Sequence, residues 1–494
     1  MGSSRHAFSC ETVPANILLA LLDFLHFIKT FQTKRTQCCN YFSELIYICN
    51  KYTKEAMLIE FRVSNYRSIG EEQILSLIPA NKKGDSLDNV ILMGKYKALN
   101  AIALYGSNAS GKSNLLLSMS LLDKLVHLSA RSSSTSTLPF DPFLLRTGWD
   151  KKPTGFEITF IINETKYRYG LEFFQDKVIK EWLYRKSIGR EVYLFVREGD
   201  VIDVSSSFKG NVKIIDAAIE ATRPNALFIS TCDMLNIDEA KVIFQWFKHF
   251  QMLDGLNTEA INTASIWNKK EYQDKILEYM SNLDLDLIGI DMSTKEFDSL
   301  ELPNSLSENA KNKLIEQLSG KKSFRFYAKH KTYSPTGKET SEKMTWPFEE
   351  RESAGTNKAF HISGPIIWTL VNGGVLIIDE IEAKLHTIMT LEIINLFLNK
   401  KTNPNNAQLI FATHDTNLLS YSKLRRDQIY FSEKNNWEST EIYSLSDFVY
   451  VDETNMTKKE RPDTDKEKRY FEGRYGAIPV FANFQSLNLI ENGK

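Results

Sequence analysis

The stretch Gly106-Ser107-Asn108-Ala109-Ser110-Gly111-Lys112-Ser113 decides the fold. It follows the pattern G-x-x-x-x-G-K-[ST], and it has the flanks which that pattern needs. Before it runs the apolar stretch Ala101-Ile102-Ala103-Leu104-Tyr105, which predicts a strand. After it, Leu115, Met119 and Leu122, with Leu116 widening the face, recur at helical spacing. Strand, glycine-rich loop and helix in that order predict a phosphate cradle. The glycines let backbone N–H groups curl round an anion without Cβ clashes, and the helix N-terminus adds its dipole. Lys112 offers a point charge to β- and γ-phosphates, Ser113 offers a hydroxyl to Mg²⁺, and Asn114 flanks them in the first helical turn. Towards the N-terminus, Leu58 to Val63 alternates apolar and polar residues, as a strand with one buried face does. Asn65-Tyr66-Arg67-Ser68 follows as a turn, and a second strand covers 73–78.

Towards the C-terminus, Val375-Leu376-Ile377-Ile378 is a continuous apolar run closed by Asp379-Glu380. Such a run predicts a strand buried on both faces, hence a parallel sheet covered by helices. Two adjacent carboxylates at its end are costly unless they serve chemistry. Asp379 is read as the group that holds Mg²⁺ through water, and Glu380 as the group that polarises the attacking water. A third buried strand over 408–413 ends at His414-Asp415, where ligands gather in open α/β sheets, so His414 is read as a γ-phosphate sensor. Between these lies Glu352-Ser353-Ala354-Gly355-Thr356-Asn357-Lys358, opening a helix through Phe360, Ile366, Ile367 and Leu370. Ser353 could be an ordinary N-cap, but its helix leads straight into the strand that ends at Asp379.

Lys112 and Ser353 stand 241 positions apart. The first part of that gap reads as antiparallel strands over 155–162, 166–174, 177–186 and 191–197, joined by short polar turns such as Asn163-Glu164-Thr165. Residues 205–318 read as mostly helical, with Phe244, Trp246, Phe247 and Phe250 as an apolar face suited to a core. No heptad is sustained, so a long coiled-coil arm is not expected. Asp284-Leu285-Asp286 has the look of a metal pair but fits a solvated loop better. Residues 321–331 alternate basic and aromatic side chains, which suits either phosphate and base contact or a strand of the core.

Composition fits a folded protein: 494 residues, 42% hydrophobic, 25% charged and 12% aromatic. Lysine plus arginine (61) nearly balances aspartate plus glutamate (62), so no global basic field points to nucleic acid. Four of five cysteines, Cys10, Cys38, Cys39 and Cys49, fall in the first 50 residues, which is no disulfide framework. The CC pair plus one distant cysteine also lacks zinc-site spacing. The apolar stretch Ala15 to Phe31 is broken by Asp23, His26 and Lys29, which argues against a membrane span, and it lacks a signal-peptide cleavage site. The organisation expected is therefore a leader over 1–56 that the working protein does not need, an ATPase lobe with a β-subdomain over 57–204 and a mostly helical insertion over 205–318. A second lobe over 319–450 and a charged tail over 451–494 complete it. The tail is balanced, with seven basic and seven acidic residues in 451–474.

Together, Gly106–Ser113, Ser353-Ala354-Gly355-Thr356, Leu376–Glu380, Leu385-His386 and His414 resemble the ABC-type ATPase heads. Within that class they are most similar to AAA-domain ATPases grouped with overcoming-lysogenization-defect, abortive-infection and retron- or restriction-linked proteins. Recombination-repair and chromosome-maintenance heads are their relatives. The resemblance spans roughly Met57 to Phe431, and Lys468 to Pro479 resembles the ends of such proteins. It implies an α/β P-loop NTPase, an ABC-type head with a mostly parallel core sheet, an antiparallel β-subdomain and a helical insertion. It implies ATP and Mg²⁺ as cofactors and a homodimer or higher homo-oligomer. In that assembly Ser353, Ala354, Gly355 and Thr356 serve a second subunit's ATP, and Leu385 and His386 cross the interface.

Glu380 becomes the catalytic base, Asp379 the Mg²⁺ carboxylate, His414 the switch histidine and Arg67 a phosphate contact. The function implied is that of a cytoplasmic, non-membrane ATPase acting as sensor and scaffold of a bacterial anti-phage defence system. It would control a separate effector, a nuclease or toxin, with nucleic acid as a further partner. The alternative is a repair or chromosome-maintenance ATPase that closes on DNA. Two departures stand out. The signature reads Ser-Ala-Gly-Thr and not Ser-Gly-Gly-Gln, which argues against transport. No Q-loop glutamine is evident either: Gln175 falls in a predicted hairpin, and Pro139-Phe140-Asp141-Pro142-Phe143 stands in the place of that loop.

Overall fold

A computed structural model describes residues 56–80, 86–296, 322–451, 457–459, 461 and 464–479. Residues 1–55 of the expected leader, with its four cysteines, lie outside the described residues, and its last residue, Ala56, opens the first strand.

Two sheets organise the molecule. The first takes β1 (Ala56–Ser64) and β2 (Gln73–Ser76), then, after the hairpin β3 (Val90–Met93) and β4 (Tyr96–Leu99), strands from beyond the P-loop. These are β6 (Thr154–Ile162), β7 (Thr165–Phe173), β8 (Val178–Lys186), β9 (Val192–Glu198) and β10 (Val201–Val204). All seven pair antiparallel in the order β10-β9-β8-β7-β6-β1-β2. The β6–β7 turn needs two residues with positive φ, and Asn163 (φ 45°) and Glu164 (φ 61°) supply them.

The second sheet has the order β11-β15-β16-β5-β17-β18. Its strands are β5 (Ala101–Tyr105), β11 (Phe250–Asp254), β15 (Val375–Asp379), β16 (Gln408–Ala412), β17 (Ile429–Lys434) and β18 (Thr440–Ser444). The first five run parallel, and β18 closes the edge antiparallel to β17. The continuous apolar runs seen in the sequence are strands divided between two cores. On β5, Ile102 and Leu104 face the core shared with the antiparallel sheet, while Ala101, Ala103 and Tyr105 face the other.

The first core holds the P-loop helix α1 (Lys112–Leu128) together with α2 (Val212–Ala221), α3 (Phe228–Met234) and α4 (Asp238–Phe247). Trp246 of α4 stacks on Phe160 of β6 with ring centroids 4.1 Å apart, so the aromatic face at 244–247 is core. The second core holds α5 (Ile261–Trp267), α6 (Lys270–Asn282), the signature helix α7 (Ala354–Asn372) and α8 (Thr387–Leu398). It also takes the inner face of a three-stranded sheet, β12 (Gly289–Glu296), β13 (Lys322–Tyr333) and β14 (Glu339–Pro347).

One departure from the sequence reading concerns Phe250. It was grouped with the helical aromatic face but opens strand β11, so the mostly helical stretch returns to the core sheet beside β15. Phe250, Met252 and Leu253 of β11 can satisfy either period, and the pairing with Val375–Asp379 decides for the strand. Asp284 (φ 51°) and Asp286 (φ 55°) lie in the turn between α6 and β12. No group of metal-ligating side chains occurs among the described residues, and none of their helices is long and apolar enough to cross a membrane. The short helix α9 (Lys466–Phe471) brings the tail back to the sheet, where Tyr470 and Tyr475 pack on Phe431.

Candidate nucleotide-binding site

The site forms at the C-terminal ends of β5, β16 and β15, three adjacent strands whose ends are stitched together. Thr413 N–H donates to Leu104 O at 3.1 Å, and Ile381 N–H donates to Ala412 O at 3.2 Å. Parallel pairing aligns the ends, so segments some 270 residues apart in sequence deliver P-loop, histidine and carboxylates to one place.

The P-loop is built into a tight cradle. Gly106 (φ 154°) and Gly111 (φ 108°) take conformations other residues resist. A Cβ on Gly111 would lie 1.9 Å from Thr440 Oγ1, and one on Gly106 would lie 2.2 Å from Ser432 O. Strands β17 and β18 thus form the back wall. Thr440 Oγ1 (2.8 Å) and Ser432 Oγ (3.1 Å) both donate to Ser110 O, pinning the loop from behind. Ala109 also takes a positive φ of 61°, and Ser107, Asn108 and Ala109 stay open towards solvent.

Lys112 is buried, and its Nζ donates to Gly106 O (2.8 Å) and Ser107 O (3.1 Å) within its own loop. Burial lowers its pKa to about 8, against the pull of Asp379, Glu382 and Glu380, whose charges act to raise it. Ser113 is exposed, and Asn114 Nδ2 donates to Ser68 Oγ at 2.8 Å. Ser68 in turn bonds Thr440, so the turn after β1 and the edge strand β18 hold the first helical turn between them. Arg67 takes φ 50°, pairs with Asp141 at 2.9 Å and reaches Asn114 Oδ1 at 3.5 Å. It therefore stands at the rim of the P-loop. The 139–143 segment is what holds it there, through both the backbone carbonyl (2.7 Å) and the carboxylate of Asp141.

Asp379 and Glu380 emerge half-buried at the end of β15. Glu380 takes φ 49°, an unfavourable conformation for a side-chain-bearing residue that its neighbours must enforce. Lys358 of α7 does so. It is 1% exposed, and its Nζ donates to the carbonyls of Glu380 (3.1 Å) and Ile381 (3.0 Å). Gly255, just past β11, approaches from the other side and donates its N–H to Asp379 O at 2.8 Å. The Glu380 carboxyl is held above the usual range by burial and then by the charges of Asp379, Glu382 and Asp254, with Lys112 opposing. A carboxylate raised in this way is suited to accept a proton.

His414 N–H donates to Glu382 Oε1 at 2.6 Å, which fixes where the histidine sits. Burial and the nearby Lys112 charge keep its imidazole below the usual value, against Glu382 and Asp379. The charges of Lys112, Asp379, Glu380, Glu382 and His414 thus act on one another as a single cluster.

The signature opens helix α7, the helix that carries Lys358. Ser353 caps α7, accepting from Thr356 N–H at 3.1 Å and bonding Thr356 Oγ1 at 2.9 Å. Ser353 and Ala354 are exposed, Gly355 is half-buried and Thr356 is buried. A Cβ on Gly355 would meet Lys384 O at 2.9 Å, so the helix end packs on the loop that carries Leu385 and His386. His386 is exposed and caps α8 through Nδ1.

Sequence reasoning assigned no role to Lys358, Glu382, Ser432 or Thr440. Glu382, two residues beyond Glu380, and Lys358, inside the signature stretch, had local signals. Ser432 and Thr440 had none, because only the sheet order places them behind the loop.

The residues suit a nucleotide with a divalent ion. Ser110 Oγ and Glu382 Oε2 are buried without hydrogen-bond partners at this site, and the cradle is shaped by glycines that no Cβ could replace. The hydroxyl of Ser113 and carboxylate of Asp379 are hard oxygen donors of the kind Mg²⁺ takes.

Sheet order and cradle together define an ABC-type P-loop ATPase fold. The family described as "AAA domain, putative AbiEii toxin, Type IV TA system" matches residues 101–208 and 289–420, which include the P-loop, signature, both carboxylates and His414. Over those residues the chain is similar to the AAA domains of that type. No curated protein sequence matches it.

Among solved structures, the SMC head domain from Thermotoga maritima is 12% identical with a TM-score of 0.35, covering 78% of this chain and 98% of that one. An Smc head domain from Pyrococcus furiosus, bound to the C-terminal domain of ScpA, is 13% identical with a TM-score of 0.34, covering 79% and 96%. The recombination mediator protein RecF with ATP is 14% identical with a TM-score of 0.28, covering 74% and 94%.

Proposed function

We propose that this chain binds ATP with Mg²⁺ and hydrolyses it as a head-to-head homodimer, or within a higher homo-oligomer, in the cytoplasm. The observation that carries this reading is the convergence of Lys112, Asp379, Glu380 and His414 at the ends of three adjacent parallel strands. Lys112 leaves its two loop carbonyls for the β- and γ-phosphates, while the loop N–H groups and the α1 N-terminus hold the remaining oxygens. Ser113 and Asp379 would hold a Mg²⁺, which would supply positive charge to the phosphates. Glu380, with its raised pKa, orients a water and takes its proton as the water attacks the γ-phosphorus. His414, held by Glu382, contacts the γ-phosphate, and Arg67 reaches a phosphate from the rim. Ser353, Ala354, Gly355 and Thr356 complete the partner subunit's site, with Ser353 and Ala354 exposed at the start of the helix to face it.

The cellular role that fits is the sensor and scaffold ATPase of a bacterial anti-phage defence system, controlling a separate nuclease or toxin. The match to a family described by a toxin–antitoxin system supports it. The test is Glu380→Gln. Turnover should fall about 10²- to 10⁴-fold while nucleotide binding persists, because only the proton-accepting group is removed. An unchanged rate would overturn the catalytic assignment. Turnover strongly stimulated by duplex DNA, with no partner protein needed, would favour the alternative of a repair or chromosome-maintenance ATPase.

A further inference from the structure

The basic and aromatic run at 321–331 finds its place in the three-stranded sheet, where strand period separates its two faces. Inward point Phe324, Phe326 and Ala328, with Phe326 set against Trp267 (5.2 Å) and Phe360 (4.7 Å). Outward point Arg325, Tyr327, Lys329, Lys331 and Tyr333, so from 325 to 333 every outward position on β13 is cationic or aromatic. Lys343 on β14 is paired across from Lys331, and Lys295 on β12 lies on the same face.

Four of these cations meet three carboxylates, Asp291 at 2.5 Å from Lys329, Glu339 between Lys331 (3.0 Å) and Lys343 (2.9 Å), and Glu350 at 3.7 Å from Arg325, and the charge of Asp286 also acts on Lys331. These ion pairs are exposed, and exposed pairs exchange partners at little cost. Tyr333 is 62% exposed. Outward residues recur every second position, about 6.7 Å apart, a repeat comparable with that of an extended polynucleotide strand.

We propose that this face binds single-stranded nucleic acid, phosphates on the lysines and Arg325, bases stacked on Tyr327 and Tyr333. Cations at alternate positions suit a flexible polyanion better than a folded acidic surface, and the tyrosines offer it π-faces that a duplex keeps stacked inside. Lysine and arginine are donors only, so they read phosphate and ignore the sugar. DNA and RNA strands are accordingly bound alike.

The sheet's inner side is joined to the signature. His330 Nε2 lies 2.8 Å from Glu352 Oε1, Trp346 Nε1 donates to the same oxygen at 2.7 Å, and the two rings stack at 4.3 Å. Glu352 directly precedes Ser353. A strand docked outside thus sits one sheet thickness from the motif that serves the partner's ATP. That consequence rests on the ATPase reading, whereas the binding itself does not.

The experiment is fluorescence anisotropy with labelled dT₃₀ and rU₃₀ on the full chain, without nucleotide, over a range of salt. Both strands should bind with similar affinity, more tightly than a 30-base-pair duplex. Lys329→Glu with Lys331→Glu should weaken binding tenfold or more and lower the salt slope by about 1.4. Tyr327→Ala with Tyr333→Ala should weaken it about tenfold with little change of slope. Melting temperatures matching the parent protein establish that the variants are folded. A variant that unfolds is replaced by the milder Lys331→Gln and Tyr333→Leu, which should show the same losses in smaller measure.

The proposal is overturned if neither strand binds, if the variants bind like the parent, if one sugar is strongly preferred, or if polyglutamate competes as well as unlabelled dT₃₀. Because binding is read without ATP, its failure leaves the ATPase assignment standing. A Glu380→Gln protein with unchanged turnover that still binds the strands fails the other way.

Discussion

On the proposed reading, Lys112 is the residue on which nucleotide affinity should turn. Burial lowers its pKa to about 8, and only its charged form neutralises phosphate. ATP bound beside it favours the proton, so the bound-state pKa lies higher. Nucleotide binding then takes up a proton wherever the free site has lost one. Affinity should be flat below pH 7.5 and fall as pH rises past 8, approaching tenfold per pH unit. Titration with a fluorescent ATP analogue between pH 7 and 9.5 measures it, and a flat profile would contradict the assignment.

Lys358 is the second residue of consequence. Lys358→Met keeps the volume of the chain but leaves Ile381 O without its donor, while Glu380 O keeps only the N–H of Ala383 at 3.1 Å. A buried group left unpaired costs about 1–3 kcal/mol. Released from that hold, Glu380 loses its place, so turnover should drop at least tenfold while nucleotide affinity stays within a few-fold. Paired denaturation and kinetic measurements separate the two effects.

Among elements, the back wall of the P-loop makes the strongest demand. Gly111→Ala adds a Cβ where Thr440 Oγ1 stands 1.9 Å away, at a φ of 108° that alanine resists. Overpacking of this kind typically costs about 1–3 kcal/mol, and here the loop that must give way is the phosphate cradle. The variant should melt at a lower temperature and lose measurable ATP binding, whereas Gly148→Ala, with nothing within 4 Å of its Cβ, should keep binding intact. Elements with strong periodicity were readable in advance: β5, β15, β16 and the antiparallel strands β6 to β9 fall within a residue or two of where the pattern put them. Strand β11 was not, because five residues after a helix carry too short a pattern to choose a period, and the choice was made by pairing with β15.

For the whole molecule, the decisive question is whether two copies share their sites. If Ser353 serves the partner's nucleotide, Lys112→Ala and Ser353→Arg proteins should each be inactive alone. Mixed, they form heterodimers in which one composite site pairs an intact P-loop with an intact signature. Activity should return towards a quarter of the parent value at equal mixing, since half the dimers are mixed and each holds one working site of two. Mixtures as inactive as their parts would place the signature in the same chain's site, or outside the reaction.

The P-loop, both carboxylates, His414 and the signature could be recognised from the chain alone, because each is a short pattern whose chemistry depends on local residue type. Their meeting could not. Lys112 gains its depressed pKa, Glu380 its raised one and His414 its anchor only when parallel pairing brings the ends of β5, β16 and β15 together. Lys358 and Thr440 are ordinary residues in the sequence. They matter because burial makes the Lys358 amine donate to the carbonyls of Glu380 and Ile381, and because Thr440 on the edge strand leaves room for glycine and nothing larger at position 111.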